Sequence, residues 1–372
     1  MASPDRATSS HAWKIKRPAL SVITMTLVAI VILCTFEFVS PAPLASGQQD
    51  APRPALGVNS ITLREPATRN RDLDLIKKDG FTYLRVPVEW PIVEASPGVY
   101  DWSESDSIIR GARQRGLLVI GVLTYTPSWA AVPVGPEYLH PGPKSAGPFA
   151  NFARLAAERY RGQVNAWEIW NEPNIVASYA PRADATMYSS LLKAAYPVIK
   201  AADPAALVLT GGTAPAVDSA TQISPASFVR SLYLNGAGNS FDAVSMHPYS
   251  GTANLSAPTV DPSSSQLAIS AVTATLAANG QSQKKIWFTE FGASSSATYQ
   301  YGVSEARQAE ILADGISYLH SLPNSGPIII FDYRDFDSSS TNGEFHFGLR
   351  RTDFSTKPAY FAVRNLLATM GP

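Results

Sequence analysis

Two glutamates lie where a pair of carboxyl groups could cleave a glycosidic bond. Glu172 follows an apolar, aromatic run and precedes Pro173 in the segment WEIWNEPN, residues 167–174. Glu290 ends a second apolar run in the segment IWFTEFG, residues 286–292. Glycoside hydrolysis uses two carboxyl groups beside the bond, one to protonate the leaving oxygen and one to act at the anomeric carbon. The two segments therefore predict carbohydrate chemistry.

Eight short apolar runs, separated by helix-like segments, predict the elements that hold these glutamates. The runs comprise residues 56–61, 83–88, 117–123, 164–169, 207–209, 241–246, 286–288 and 328–331. Continuous apolar runs are typical of parallel strands that helices cover. Eight strand–helix units predict an α/β fold, a (β/α)8 (TIM) barrel. The alternative is an open doubly wound sheet, but the glycine-rich first turn usual there is replaced by NSIT at residues 59–62.

The order of the strands predicts that the two glutamates meet. In a TIM barrel the active site lies at the carboxyl ends of the strands. Glu172 follows the fourth run and Glu290 ends the seventh, so both are expected at the same mouth. Asn171 places an amide beside Glu172, where it could hydrogen-bond the 2-hydroxyl of a sugar. Glu168, also on the fourth run, is the competing candidate for the acid.

The same segments resemble the clan-A retaining glycoside hydrolases, in which an Asn precedes the acid/base at the end of strand four and the nucleophile ends strand seven. Residues 171–173 (NEP) and 289–292 (TEFG) match these two positions. Residues 97–117 resemble the second β-α unit of the clan, and residues 347–360 resemble its closing unit. The resemblance extends from Leu56 to the C-terminus. It is nearest to the β-xylosidase/iduronidase-like family and its bacterial exopolysaccharide-hydrolase relatives.

The resemblance implies a role for each of five residues. Glu172 would be the general acid/base, and Glu290 would be the nucleophile. Arg85, near the end of the second strand, matches an arginine that supports the nucleophile. His247 and Tyr249, after the sixth strand, match residues that line the catalytic subsite.

Three tryptophans near the predicted strand ends are candidates for stacking on sugar rings. Aromatic side chains can cover the apolar faces of sugars, but at such positions they are equally often part of the core. Trp129, Trp170 and Trp90 are therefore predicted either to bind substrate or to pack in the interior.

The end of the eighth run departs from the pattern of the clan, in which many members carry a tryptophan under the bound sugar. This chain reads IIIFDYRD there, so Phe331 or Tyr333 could take the place of the tryptophan. The three charged residues that follow could shape a subsite or form a local salt-bridge cluster. They are Asp332, Arg334 and Asp335.

Composition argues against several classes of partner. The chain has 30 Lys+Arg and 30 Asp+Glu, and this zero net charge gives no reason to expect nucleic acid. Cys34 is the only cysteine, so neither a disulfide nor a thiolate metal site can form within one chain. His140, His320 and His346 show no metal-ligand spacing. The predicted partner is a carbohydrate substrate, with no cofactor, no metal and no obligate protein partner.

An apolar segment at residues 19–39 predicts membrane targeting. It is long enough for a helix of about 20 residues to cross a bilayer. Lys14, Lys16 and Arg17 precede it and favour a cytoplasmic N-terminus. Small residues at 40–46 leave two alternatives, an uncleaved anchor or a cleaved signal peptide. Either one places the rest of the chain outside the cytoplasm.

The predicted organisation has four parts. Residues 1–18 form a basic cytoplasmic tail, and residues 19–39 form the transmembrane anchor or signal segment. Residues 40–54, rich in Pro, Ala and Gln, are predicted to be a flexible linker. Residues 55–372 are predicted to form the catalytic barrel.

These observations predict a retaining hydrolase that cleaves O-glycosidic bonds of an extracellular or cell-envelope polysaccharide by double displacement. Carboxyl groups about 5–5.5 Å apart would indicate retention, and a separation above roughly 6.5 Å would indicate inversion. Two alternatives remain. A transglycosylase would use the same glutamates to pass the sugar to another sugar, and a carbohydrate-binding barrel would keep the aromatic residues without turnover.

Overall fold

Eight parallel strands form one sheet in the computed structural model, which describes residues 55–370. The strands are β1 (Leu56–Asn59), β2 (Tyr83–Glu89), β3 (Leu118–Thr124), β4 (Ala166–Asn171), β5 (Leu207–Gly212), β6 (Val244–Met246), β7 (Ile286–Phe291) and β8 (Ser325–Ile330). Their order in the sheet is β5-β4-β3-β2-β1-β8-β7-β6. Two parallel bridges, Leu209 to Ala243 and Thr213 to Met246, bring the two edges of the sheet together. The sheet therefore curls into a barrel.

Helices alternate with the strands along the described chain. They are α1 (Pro66–Lys78), α2 (Trp90–Val93), α3 (Ser103–Gln114), α4 (Ala146–Arg159), α5 (Ala185–Ala202), α6 (Pro225–Leu234), α7 (Ser265–Ala278), α8 (Glu305–Ser321) and α9 (Pro358–Met370). Short 3-10 helices occupy Ile61–Arg64 and Gly343–His346. The prediction of an α/β barrel is confirmed, and each predicted apolar run contains or overlaps one strand. The one-turn helix α2 is an addition that the sequence pattern did not predict.

Local sequence signals explain where several helices begin and end. The carboxylate of Asp184 accepts hydrogen bonds from the backbone N–H groups of Thr186 and Met187 and caps α5. A serine preceding each of α6, α7 and α8 accepts a hydrogen bond in the same way. Gly80 and Gly116 follow α1 and α3 with φ angles of +96° and +69°. Such left-handed angles favour glycine and end the helices at the predicted places.

The predicted N-terminal segments, residues 1–18, 19–39 and 40–54, lie outside the described residues. The chain divides into two units, Met1–Gln49 and Asp50–Pro372, and the description covers only the second. Among residues 55–370, no helix combines the length and the apolarity needed to span a bilayer.

The interior of the barrel is layered. Side chains at alternate positions of a strand share one face. Ala166, Trp287 and Tyr83 belong to a compact apolar cluster, which also contains Ile120, Leu209, Ala243 and Ile329. Two residues further along the respective strands come Glu168, Thr289 and Arg85. An apolar layer therefore lies directly beneath a polar layer at the carboxyl ends of the strands.

Two of the three charged residues after β8 form structural ion pairs. Arg334 Nε lies 2.9 Å from Asp72 Oδ1, and Lys357 Nζ lies 2.7 Å from Asp335 Oδ1. Asp332 accepts a hydrogen bond from its neighbour's backbone N–H. Asp332, Arg334 and Asp335 are all buried. The structure contains the salt-bridge cluster, and none of the three charged residues lines the cavity described below.

A close approach between β7 and β8 predicts the effect of a substitution at Gly292. A Cβ atom there would lie 1.9 Å from the carbonyl oxygen of Phe331. We expect Gly292→Ala to lower the free energy of unfolding by about 1–3 kcal/mol, as overpacking does. Urea unfolding followed by circular dichroism measures the change.

Gly147, near the start of α4, is the matched control. A Cβ atom at Gly147 would meet nothing within 4 Å. We expect Gly147→Ala to leave the stability unchanged or to raise it slightly, because alanine is the better helix former. Equal unfolding midpoints for the two variants would contradict the steric argument.

Candidate active site

A buried arginine connects the polar side chains at the carboxyl ends of the strands. Arg85, on β2, is 4% exposed. Its Nε and Nη2 donate hydrogen bonds to the two oxygens of Glu168, at 2.8 and 3.2 Å. Its Nη1 donates to Glu290 Oε1 at 2.6 Å, and its Nη2 to Asn171 Oδ1 at 2.8 Å. Burial alone would lower the pKa of Arg85, but the charges of Glu168 and Glu290 raise it.

Glu168 is a fully buried partner of this arginine. Its Oε1 also accepts hydrogen bonds from Gly212 N at 2.8 Å and from Thr289 Oγ1 at 3.1 Å. Burial alone would raise the pKa of Glu168, but Arg85 and His247 lower it to about 2. Because Glu168 is ionised and has no exposed surface, it cannot present a proton to a substrate. The alternative that made Glu168 the acid is therefore wrong.

Glu290, on β7, is oriented at both of its oxygens. Arg85 binds Oε1, and the hydroxyl of Tyr249 donates a hydrogen bond to Oε2 at 2.8 Å. Burial raises the pKa of Tyr249 well above its usual value, and the charges of Glu290 and Glu172 raise it further. Tyr249 thus remains a neutral hydroxyl donor. The carboxylate of Glu290 keeps 9% exposure and lines the cavity described below.

Glu172 follows β4 directly and contacts a buried imidazole. His247 Nδ1 lies 2.9 Å from Glu172 Oε1 and 3.6 Å from Glu290 Oε2. Burial alone would lower the pKa of His247, but the charge of Glu290, the nearby Glu168 (whose Oε1 lies 3.9 Å from Nε2) and the contact with Glu172 raise it to about 9. The raised pKa favours the imidazolium form of His247 beside the two glutamates, while its Nε2 has no hydrogen-bond partner among the described residues.

The carboxylates of Glu172 and Glu290 are close to each other. One oxygen of each, together with a ring nitrogen of His247, lie within 4.8 Å of one another. This spacing could hold a metal ion, but it is also the spacing of a carboxyl pair that acts on one sugar carbon. The Glu172 side chain is 19% exposed and the more accessible of the two.

The backbone at this mouth is unusual. Three non-glycine residues adopt left-handed φ angles, 66° at Tyr125, 78° at Trp170 and 49° at Glu172. Such angles are costly for residues with a Cβ atom and cluster at functional sites. Tyr125 and Glu172 immediately follow β3 and β4, and Trp170 is the penultimate residue of β4, so the strain is concentrated where the strands end.

A glycine allows the strands to approach closely beneath the pair. A Cβ atom on Gly212, the last residue of β5, would lie 2.1 Å from His247 Nε2 and 2.8 Å from Thr289 Oγ1. Only glycine leaves room there for the imidazole. The sequence shows Gly211 and Gly212 together at the end of an apolar run, a signal that could have pointed to this contact.

A cavity of about 450 Å³ opens beside Glu290, and Glu172 is not among the residues that line it. Its size suits a small ligand such as a sugar ring. Of the predicted site residues, Arg85, Asn171 and Glu290 line it. The polar and aromatic lining residues that the sequence did not single out are Asn59, Ser60, Arg64, Glu89, Thr124, Tyr125, Phe336 and Phe345.

Two of the predicted stacking tryptophans belong to the core. Trp170 is fully buried, and its Nε1 donates to the carbonyl oxygen of Ser178 at 2.9 Å. Trp90 is also fully buried and stacks on Phe152. The prediction of a sugar contact is wrong for both, because neither ring has an open face. Trp129 is half-buried against Trp90, and the cavity lining does not include it.

Phe331, the first residue after β8, is one of the two predicted substitutes for the tryptophan that many clan members carry. It lines the cavity and contacts Phe347 edge to face, with ring centroids 5.3 Å apart. Tyr333 is fully buried, and its hydroxyl donates to Asp79 Oδ2 at 2.8 Å. Of the two predicted substitutes, only Phe331 faces the cavity.

Glu89 and Tyr125 are the principal site residues that sequence reasoning missed. Glu89 is the last residue of β2, and Tyr125 immediately follows β3. The rule that active-site residues follow barrel strands would have found both. Tyr125 stacks on His140 with ring centroids 3.7 Å apart. Burial raises the pKa of Tyr125, and the charges of Glu89, Glu172 and Glu290 raise it further, so its hydroxyl stays protonated.

The chain belongs to the cellulase family, glycosyl hydrolase family 5, whose model matches residues 49–321. No curated protein is significantly similar to it. Families 5, 39 and 10 all belong to clan A, and their members are glycosidases with a (β/α)8 barrel. The resemblance to clan A is therefore confirmed, and the chain is a clan-A glycoside hydrolase.

Solved structures of similar fold come from several families of this clan. A family 39 glycoside hydrolase from Bacteroides cellulosilyticus WH2 has a TM-score of 0.67 and 24% identity, over 84% of this chain and 63% of that chain. A monomeric β-xylosidase from Caulobacter crescentus CB15 has a TM-score of 0.65 and 20% identity, over 85% and 68%. An enzyme of subfamily GH5_18 from Streptomyces cattleya, in complex with GlcNAc, has a TM-score of 0.66 and 19% identity, over 86% and 81%. This chain thus spans less than two thirds of the first of these structures.

The raised pKa of His247 predicts a pH-dependent contribution to stability. The imidazolium is favoured by folding, so its contribution is complete below about pH 6.5 and disappears as the pH rises to about 9. Replacement by Gln should therefore remove a contribution of up to about 3 kcal/mol at low pH and little at high pH. Urea unfolding of the parent and of His247→Gln at both ends of this range measures the difference.

His140 provides a control of opposite sign. Burial lowers the pKa of His140, so the parent should lose stability relative to His140→Gln as the pH falls below the usual histidine range. If the His247→Gln difference were the same at both pH values, the imidazolium form of His247 beside the two glutamates would be excluded.

Proposed function

We propose that this chain is a retaining glycosidase in which Glu290 is the nucleophile and Glu172 is the general acid/base. The observation that carries the proposal is the distance of no more than 4.8 Å between an oxygen of Glu172 and an oxygen of Glu290. Retaining enzymes hold their carboxyl groups about 5–5.5 Å apart, whereas inverting enzymes leave room for a water molecule between them.

In the first step an oxygen of Glu290 attacks the anomeric carbon, and the glycosidic C–O bond breaks. Glu172 gives its proton to the departing oxygen, so the leaving group departs as an alcohol and an ester joins the sugar to Glu290. A nucleophile must be an anion, and Glu290 is the carboxylate that Arg85 contacts at 2.6 Å. This ion pair supports the assignment of Glu290, not Glu172, as the nucleophile.

In the second step Glu172 removes a proton from water, and the water oxygen attacks the same carbon from the side that the leaving group vacated. The ester bond breaks and Glu290 returns as a carboxylate. Glu172 Oε1 is hydrogen-bonded to His247 Nδ1. The other oxygen, Oε2, is therefore the one proposed for the proton transfers. The Glu172 side chain is 19% exposed, against 11% for Glu290, which suits a residue that must meet both leaving group and water.

Asn171 is placed to bind the sugar beside the reacting carbon. Its Oδ1 accepts a hydrogen bond from Arg85, so the amide nitrogen is left to donate into the cavity. A donor to the 2-hydroxyl stabilises the transition state more than the ground state as charge develops on the ring.

We propose a β-linked polysaccharide of the cell envelope or of a secreted matrix as the substrate. The β-xylosidase among the structures of similar fold supports the β linkage. The apolar segment at 19–39 and its basic flank support a site outside the cytoplasm, reached by an anchored or a secreted enzyme.

The proposed roles predict the behaviour of two isosteric variants. Glu290→Gln and Glu172→Gln should each lower kcat by at least about 10³-fold on an unactivated β-glycan, because an amide neither attacks the anomeric carbon nor donates a proton as an acid. Proton NMR of the first product formed by the parent should show the anomeric configuration of the substrate.

Glu310→Gln is the control, because Glu310 lies on the surface of α8 in a salt bridge with Arg307. It should retain the activity of the parent. Product of inverted configuration would refute double displacement. Sugar transfer in place of hydrolysis, seen when an acceptor sugar is added, would favour the transglycosylase. Binding without turnover on any β-glycan would favour the carbohydrate-binding barrel.

The proposed location predicts that the barrel is accessible from outside the cell. In bacterial spheroplasts that express the full chain, added protease should digest the barrel while a cytoplasmic marker protein stays intact. Retention of the basic tail in the membrane fraction would indicate the anchor, and a new N-terminus near residues 40–46 would indicate signal cleavage. A barrel that stays protected in the soluble cytoplasmic fraction would contradict the proposal.

A further inference from the structure

Both arginines that line the described cavity are already paired with carboxylates. Arg85 is bound to Glu168 and Glu290. Arg64 Nη2 donates a hydrogen bond to Glu89 Oε1, and Arg64 Nε lies 3.8 Å from Glu104 Oε1. Neither guanidinium is available as the sole partner of an anionic ligand.

Glu89 presents a carboxylate to the same cavity as Glu290. It is the last residue of β2, and its side chain is 18% exposed. Its Oε1 accepts the hydrogen bond from Arg64, and its Oε2 accepts none from the residues that the structure describes. Tyr125, on the neighbouring strand end, lines the cavity with it. Arg64 therefore holds Glu89 in place as a hydrogen-bond acceptor on the cavity wall.

Glu344 adds a further acidic group at the rim of the site. It lies on the 3-10 helix Gly343–His346, next to the lining residue Phe345. Burial raises the pKa of Glu344, and the charges of Glu172 and Glu290 contribute to the shift. The shift favours the neutral form of Glu344, and the acidic residues that line the cavity itself are Glu89 and Glu290.

We propose that Glu89, held by Arg64, is a specificity-determining residue that accepts a hydrogen bond from a sugar hydroxyl and rejects a sugar bearing a carboxylate. The proposal rests on the proposed function, because it concerns the sugar that the two catalytic glutamates would act on. A hydroxyl group can donate to Glu89 Oε2. A uronate carboxylate in the same place has no proton to donate and is repelled by both Glu89 and Glu290.

The magnitude follows from the chemistry of the contact. A hydrogen bond to a charged group and the penalty for leaving that group unpaired together discriminate between otherwise matched sugars by about tenfold to a hundredfold or more. Low-dielectric surroundings strengthen the repulsion between like charges relative to water. A half-buried carboxylate on the cavity wall therefore discriminates better than a carboxylate on the outer surface.

The test uses aryl β-glycosides in matched pairs, each a neutral sugar and its uronic acid, in the gluco, galacto and manno configurations. For the configuration that the parent cleaves best, kcat/KM for the neutral sugar should exceed that for the uronide by at least about a hundredfold. Glu89→Gln should lower kcat/KM for the neutral sugar about tenfold or more and reduce the ratio between the pair.

Two further variants separate the contact from a general charge effect. Glu104→Gln removes one negative charge from the other partner of Arg64 without changing the cavity wall, so the ratio should stay as in the parent. Arg64→Gln leaves the charge of Glu89 uncompensated and should increase the ratio. The melting temperature of each variant shows whether it is folded.

A uronide cleaved as fast as its neutral partner, or an unchanged ratio in Glu89→Gln, would overturn the role of Glu89. Calorimetric binding of the neutral and uronate disaccharides to the same proteins should show the same order of preference without turnover. If the parent cleaves no glycoside but still binds the neutral sugar in preference to the uronate, the proposed function is refuted and the proposed role of Glu89 is retained.

Discussion

The buried guanidinium of Arg85 is the interaction on which the site depends. It joins four strands, because its partners are Asn59 on β1, Glu168 and Asn171 on β4, and Glu290 on β7. Two buried carboxylates are tolerated only because this cation is between them, and loss of one partner of such a pair typically costs about 3–5 kcal/mol. The same contacts that stabilise the polar layer of the barrel therefore set the direction of Glu290.

The layering of the barrel explains why such a network can exist inside a small protein core. The apolar cluster around Trp287 fills the barrel below, and the cavity lies above. Between them, Glu168, Thr289 and Arg85 satisfy one another's hydrogen-bonding groups. Buried polar groups are stable where each has its partners, and the fixed donors and acceptors then hold the reacting groups without further rearrangement.

Several site residues were predictable because strand ends are local features of a sequence. Glu172 and Glu290 follow apolar runs, and the parallel barrel brings the ends of such runs together. Trp170 shows the limit of this reasoning. In a regular strand it would share the inward face with Glu168, but its φ angle of 78° breaks the alternation and its ring packs into the core. No hydrophobic periodicity in the sequence indicates that the alternation of side chains is interrupted at Trp170.

The sequence alone determined the eight strand–helix units, the acid pair at one mouth and the resemblance to clan A, because hydrophobic periodicity and helix caps act over a few residues. The tertiary structure alone decided which side chains form the cavity. The pairing of Arg64 with Glu89 and the choice of Phe331 over Tyr333 as a lining residue depend on how separate strand ends and loops pack together. Those contacts join residues distant in the chain, so they follow from closure of the barrel and not from any local pattern.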